Sequence, residues 1–93
     1  MIIAVDFDGT LQIRNEPNLA LIRKLKQAQT RGDVVILWTC RDGQSLNEAL
    51  TLLYRVGFRP NYINQNCPEG IKRTGRDSRK IFADIYIDDK AAK

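Results

Sequence analysis

The chain has 93 residues, 43% hydrophobic and 28% charged, with 15 basic against 11 acidic side chains and a formal net charge of +4. That is the composition of an ordinary soluble globular protein, near the lower size at which a chain builds its own core. No apolar stretch approaches the roughly 20 residues needed to span a bilayer. Histidine is absent, which excludes Ser-His-Asp and Cys-His catalysis and histidine-ligated zinc. Acid–base work falls to carboxylates, lysine, tyrosine or a metal-bound water.

The first element is Met1-Ile2-Ile3-Ala4-Val5, a continuous apolar run of the kind found in parallel strands covered on both faces. It ends on Asp6-Phe7-Asp8-Gly9-Thr10, two carboxylates two residues apart followed by a turn glycine. Nearby anions repel, so the pair costs free energy unless something positive sits between them. A hard divalent cation answers that need, and Mg²⁺ takes a few carboxylate oxygens plus water and phosphate. The competing reading is an aspartate that merely caps a turn.

Residues 11–15 form a short mixed segment, and Glu16-Pro17-Asn18 predicts a helix start with proline in the first turn. From Leu19 to Thr30 the pattern is helical: Leu21, Ile22, Leu25 and Ala28 share a face, and Arg23, Lys24, Lys26 and Gln27 lie away from it. Gly32 stands where a C-terminal cap is wanted. Val34-Val35-Ile36-Leu37-Trp38 is a second apolar strand, which completes a βαβ unit with an expected right-handed crossover. Thr39-Cys40-Arg41-Asp42-Gly43 follows. Ser45-Leu46-Asn47-Glu48 fits a capping box, and Leu46, Ala49, Leu50 and Leu53 give the next helix its buried stripe, ended by Gly57.

Asn61-Tyr62-Ile63-Asn64 reads as a short third strand. Residues 65–79 read as a polar, basic connection containing Pro68, Gly70 and Gly75, and Lys80-Ile81-Phe82-Ala83-Asp84 as a short helical turn. Ile85-Tyr86-Ile87 is a last strand, closing on Asp88-Asp89. The expectation is a single α/β domain over residues 1–93: an open, mainly parallel, three-layer Rossmann-like sheet flanked by helices. Ligands bind such sheets outside the carboxyl ends of the strands. Asp6, Asp8, Thr39, Asp88 and Asp89 all fall at such ends, so adjacency of those strands brings five polar side chains to one crevice. Cys40 and Cys67 form no CxxC pair and read as reduced thiols, Cys40 partly buried. No basic leader precedes the first apolar run, so no signal peptide and a cytoplasmic location are expected.

The order of these segments resembles the haloacid dehalogenase superfamily of phosphohydrolases. Asp6-Phe7-Asp8-Gly9-Thr10 is similar to its first motif and Leu37-Trp38-Thr39 to its second, a small hydroxyl residue closing an apolar strand. A lysine ahead of the last strand matches the third, and Asp88-Asp89 matches the fourth. The resemblance implies a Mg²⁺-dependent phosphatase in which Asp6 attacks phosphorus to form an aspartyl-phosphate, and Asp8 is general acid and then general base. It implies Asp6, Asp8, Asp88 and Asp89 as the metal set, Asp8 through its backbone carbonyl and either or both of the last two as direct ligands. Thr39 would donate its hydroxyl to a phosphoryl oxygen, and a lysine would neutralise the transferring group. Lys80 is the preferred lysine, with Lys72 as rival and Lys90 disfavoured by its closeness to the acids. Arg41, two residues past Thr39, is a candidate fork for a substrate phosphate or carboxylate, or a plain surface arginine.

Members of that superfamily commonly carry a cap domain. Here residues 9–18 have room only for a short flap and residues 57–80 for one strand and a loop, so the chain looks capless. An open crevice admits a phosphate on something large, such as a nucleic-acid end, a protein side chain or a bulky metabolite. The basic stretch from Lys72 to Lys80 (Lys72, Arg73, Arg76, Arg79, Lys80 against Asp77) points to an anionic partner. It has no aromatic residue for base stacking, which weakens the nucleic-acid case. Only four residues follow Asp89, so a trimmed sheet edge is expected, with a homodimer as one remedy. The alternative is a non-catalytic phosphate- or metal-binding module, or a phosphoacceptor signalling domain. Response-regulator receivers place their adjacent acid pair on the first strand, whereas here Asp-x-Asp comes first and the pair last.

Overall fold

A computed structural model describes residues 1–77 and 79–89 of the chain; Lys90, one of the three candidate lysines, lies outside the described residues. The main sheet has four strands: β1 (Ile2–Val5), β4 (Val34–Leu37), β5 (Tyr62–Ile63) and β6 (Ile85–Ile87), in the spatial order β5-β4-β1-β6 with every neighbouring pair parallel. A separate two-stranded hairpin, β2 (Gln12–Ile13) with β3 (Glu16–Pro17), stands between β1 and the first helix. The helices are α1 (Leu19–Thr30), α2 (Gly43–Arg55) and α3 (Pro68–Thr74). The architecture is α/β and Rossmann-like.

The continuous apolar runs of β1 and β4 follow from burial on both faces. Ile3, Val5, Val35 and Leu37 point into one core with Ile22, Leu25 and Ala28 of α1 and Ala49 and Leu53 of α2. Ile2, Ala4 and Ile36 point into a second core with Cys67, Ile81 and Ala83. Burying each of the valine, leucine and isoleucine side chains among them stabilises the fold by about 1.5–3 kcal/mol, and each alanine by less. The chain moves one way across the sheet from β1 through β4 to β5, then returns to β6 beyond β1. Right-handed crossovers running in opposite directions must cover opposite faces, which is why α1 and α2 share a layer and α3 does not. The reversal flanks β1 with β4 and β6, which opens a crevice at the carboxyl end of β1.

Several local expectations are corrected. Pro17 does not start α1; it pairs with Gln12 in the hairpin, and Asn18 is the N-cap, its side chain accepting from the Leu21 amide. The capping box at Ser45 does not form: α2 starts earlier, with Asp42 as N-cap, and the Ser45 hydroxyl donates to the Asp42 carbonyl. Trp38 lies one residue beyond β4, and the third strand is two residues long rather than four. Cys40 is exposed, and Cys67 is the buried thiol.

The connection over 65–79 contains α3, whose contact with β1 is made by a glycine. A Cβ on Gly70 would meet Phe82, Cys67 and Ile2 at 3.4–3.7 Å. Residues 80–84, in turn, are not helical. Their amides are taken elsewhere: Phe82 N–H donates to Asn66 Oδ1 (2.7 Å), Ala83 N–H to the Tyr86 hydroxyl (3.1 Å) and Asp84 N–H to the Ile2 carbonyl (2.8 Å).

Asp84 fastens the start of β6 to β1. Its carboxylate accepts from the Ile2 amide and pairs with Arg73, and these two contacts, in that order, hold its pKa below the ordinary 3.8. A lowered folded value means stability that is complete above the unfolded value and lost as pH falls through the folded one. Asp84→Asn therefore lowers the urea midpoint at neutral pH, and the gap to wild type narrows as pH drops below about 4. A pH-independent gap would show that the charge is not what matters.

Candidate active site

The sheet ladder continues one residue past the strands and fixes the site. Asp6 N–H donates to the Ile87 carbonyl (2.9 Å), and Trp38 N–H to the Val5 carbonyl (2.8 Å). Asp6, Trp38, Thr39, Cys40, Asp88 and Asp89 together line a cleft of about 290 Å³ at the carboxyl ends of β1, β4 and β6. Asp6 is half-buried, and its Oδ1 accepts from the Phe7 amide at 2.8 Å. Burial pushes its carboxyl above the ordinary range; the Phe7 amide opposes this, and the charges of Asp8, Asp89 and Asp88 add to it.

The turn after Asp6 is wound around one carbonyl. The Phe7 C=O accepts from the amides of Thr10 (3.2 Å), Leu11 (2.9 Å) and Gln12 (3.0 Å). Gly9 sits at φ 76°, and a Cβ there would stand 3.1 Å from the Asp89 Cβ. The glycine thus serves both the left-handed backbone and the close approach of the last acid to the first motif. Gly9→Ala is expected to cost about 1–3 kcal/mol in urea denaturation, from strain plus the displaced Asp89. A loss under about 0.5 kcal/mol, the range of ordinary surface substitutions, would show the approach to be slack.

Thr39 is held by a residue that no motif in the sequence singles out. Asn64, just after β5 at φ 53°, accepts the Thr39 amide on its Oδ1 at 2.8 Å. The signal for it is an asparagine at a strand end, the side chain that best tolerates the left-handed region. The Thr39 hydroxyl accepts from the Arg41 amide at 3.1 Å, which leaves its own proton to donate. Trp38 and Cys40, to which no sequence motif gives a role, also line the cleft. Trp38 packs edge-on against Tyr86, ring centroids 5.9 Å apart. The Tyr86 hydroxyl donates to the Ile81 carbonyl at 2.6 Å, which anchors the pair.

Asp8 does not line this cleft. Arg41 holds it in a fork: Nε lies 3.0 and 3.2 Å from its two carboxylate oxygens, and a terminal nitrogen 2.7 Å from one of them. The Arg41 hydrogen bond, then its charge, keeps the Asp8 carboxyl below its usual value. Arg41 also donates to the Ser45 carbonyl and lies over the Phe7 ring, 4.8 Å from its centroid. Lys80 is exposed on the loop before β6, with its carbonyl near the Asn66 amide, and Lys72 is in the last turn of α3; neither lines the cleft. Among the described residues, no three carboxylate or thiol groups stand close enough to form a ready-made cation cage. The structure thus brings together Asp6, Thr39, Asp88 and Asp89, and leaves Asp8, Arg41 and both lysines outside the cleft lining. No helix among the described residues is long and apolar enough to cross a membrane.

Neither a family model nor a curated protein matches the chain. Among solved structures, a conserved protein from Bacteroides thetaiotaomicron superposes with a TM-score of 0.81 at 37% identity, over 97% of this chain and 76% of that one. With so much of both chains aligned at that identity, this chain belongs to the family of the conserved Bacteroides thetaiotaomicron protein.

Proposed function

We propose that the chain is a Mg²⁺-dependent phosphomonoester hydrolase of the haloacid dehalogenase type, acting through Asp6. The observation that carries this reading is the convergence of Asp6, Thr39, Asp88 and Asp89 on one cleft at the strand ends. Those four residues come from three strand ends up to 83 positions apart in sequence, and the order of motifs that resembles this superfamily predicts their meeting.

The donor set fits the metal. Mg²⁺ keeps several waters and needs only one or two carboxylates, so an open group of acids suits it better than a closed cage. Asp6 with Asp88 or Asp89 would hold it, and their mutual repulsion is what a cation relieves. When bound, the ion supplies charge neutralisation that lets an anionic phosphate approach an anionic nucleophile.

The chain's own residues do the rest. The Asp6 carboxylate attacks phosphorus, and the ester P–O bond breaks as the aspartyl-phosphate forms. The leaving oxygen takes a proton from Asp8. A water then gives its proton to Asp8 and its oxygen to phosphorus, which releases phosphate and restores Asp6. The free hydroxyl proton of Thr39 points to a donor role at a phosphoryl oxygen. Lys80 is proposed as the neutralising cation, which requires its side chain to reach the cleft from the loop before β6.

Phosphate release from phenyl phosphate is expected only with Mg²⁺ present and absent in excess chelator. Mg²⁺ at about one hundred times its dissociation constant should stabilise the fold by about 2.7 kcal/mol, read as a rise in the thermal midpoint. Neither turnover nor a midpoint shift would end the reading. A stable phosphoprotein formed without turnover would return the phosphoacceptor alternative.

A further inference from the structure

Arg41 belongs to a second concavity as well as to the loop that carries Thr39. A groove of about 670 Å³ lies between the β2–β3 hairpin and α2, and Arg41 lines it. The groove mixes apolar walls with polar side chains: Gln12 and Gln44 line it, Arg55 and Glu48 are of opposite charge, and Arg41, paired with Asp8, gains an open charge only when that pair parts. A general acid must touch the oxygen it protonates. The leaving half of the substrate must therefore lie on the Asp8 side of the cleft, where Arg41 holds Asp8 and the groove begins.

We infer that this groove binds the leaving half of a phosphomonoester that bears a second anion, a carboxylate or another phosphate, which takes over the Arg41 fork and frees Asp8. This rests on the hydrolase reading above. Arg41 makes three short contacts to Asp8, so Asp8 cannot serve the cleft while they last. The pair is open to water, with 58% of the Asp8 side chain exposed, so exchange of one anion for another costs little. The guanidinium plane is preset for a bidentate oxyanion by the Phe7 ring beneath it and the Ser45 carbonyl beside it. Exchange makes and breaks only ion pairs. A substrate without the second anion must wait for the exposed fork to open on its own, so it turns over more slowly.

The test compares phenyl phosphate with meta- and para-carboxyphenyl phosphate and with the corresponding benzene bisphosphates. All are assayed with Mg²⁺ in wild type, Arg41→Lys and Arg41→Gln. Wild type should favour substrates with a second anion by about tenfold or more in kcat/KM, because they free Asp8 for general-acid work that is worth about 10²–10⁴-fold. The ratio should fall toward one in Arg41→Gln and lie between in Arg41→Lys, which keeps the charge without the plane. The carboxylate and bisphosphate arms show which anion the groove takes. An equal ratio in wild type and Arg41→Gln overturns the proposal. In parallel, the Arg41 Nε–Hε NMR signal of the wild-type protein is followed on adding phenylphosphonate or para-carboxyphenylphosphonate, neither of which is hydrolysed. A shift with the carboxylated compound alone is expected. A selective shift with no turnover of any phosphate keeps the groove and sinks the hydrolase. Turnover with neither selectivity nor shift keeps the hydrolase and sinks the groove.

Discussion

Asp6→Asn yields a folded protein that releases phosphate at least about a thousandfold more slowly, a loss of roughly 4 kcal/mol of transition-state stabilisation. An amide oxygen is a poor nucleophile toward phosphorus, and the neutral side chain is a weak ligand for a hard cation. Stability moves the other way. The Asp6 carboxyl is raised in the folded state by burial first and by the Asp8, Asp89 and Asp88 charges after it. A raised acid holds its proton more tightly when folded, so stability falls as pH rises from the unfolded value through the folded one, and the full cost of the ionised form is present above the latter. Asparagine keeps an acceptor for the Phe7 amide and carries no charge, so without Mg²⁺ the Asp6→Asn variant should melt at or above the wild-type temperature at neutral pH. The gap should close as pH falls toward the unfolded value of 3.8, where wild-type Asp6 is also protonated in the fold. Activity and stability moving in opposite directions separates a reacting group from a structural one. Turnover at the wild-type rate in Asp6→Asn would remove Asp6 from the reaction.

The parts of this fold legible in the sequence are those where one apolar period persists over several residues. Ile2–Val5 and Val34–Leu37 are buried throughout or nearly so, and the stripe of Ile22, Leu25 and Ala28 repeats at helical spacing. Those runs plus the chirality of crossovers give a parallel sheet with its strand ends on one edge; that β4 and β6 both flank β1, and so bring Asp6, Thr39, Asp88 and Asp89 together, is set by long-range pairing that the runs leave open. The helix Pro68–Thr74 stands where the sequence shows only a polar connection, for a definite reason. It has seven residues and packs through Gly70, so no apolar stripe marks it. Its other signals were present: proline at the first turn, Glu69 near the start, Lys72 and Arg73 near the end and Gly75 beyond. Residues 80–84 carry a helical pattern in the sequence but are not helical, because Phe82 and Asp84 donate their amides to Asn66 and Ile2, far away in sequence, and Ala83 donates to the Tyr86 hydroxyl. The Asp8–Arg41 fork was out of reach for the same reason. It spans 33 positions, and spacing says nothing of which cation an exposed carboxylate will meet.

Phe7→Ala is expected to destabilise the domain by about 3–5 kcal/mol, the range for truncating a buried aromatic side chain. Phe7 is 1% exposed and packs in the larger core with Val5, Leu11, Leu37 and Phe58. Arg41 above its ring adds a smaller increment, about 0.5–1 kcal/mol where water reaches the cation. A domain of this size holds about 5–15 kcal/mol in total, so the variant should lose a large fraction of its urea midpoint with an unchanged slope. Phe7→Leu, which refills most of the volume, should cost clearly less. The consequence for the site follows from position. Phe7 points into the core, while Asp6 faces the cleft and Asp8 faces Arg41. Burial of the middle residue therefore sets the two carboxylates apart and gives each its own surroundings, one half-buried beside other acids, the other exposed under a guanidinium. Were Phe7→Ala to cost less than about 1 kcal/mol, well under a core truncation, that anchor would be absent. The separation of the two aspartates would then need the backbone turn around the Phe7 carbonyl as its cause.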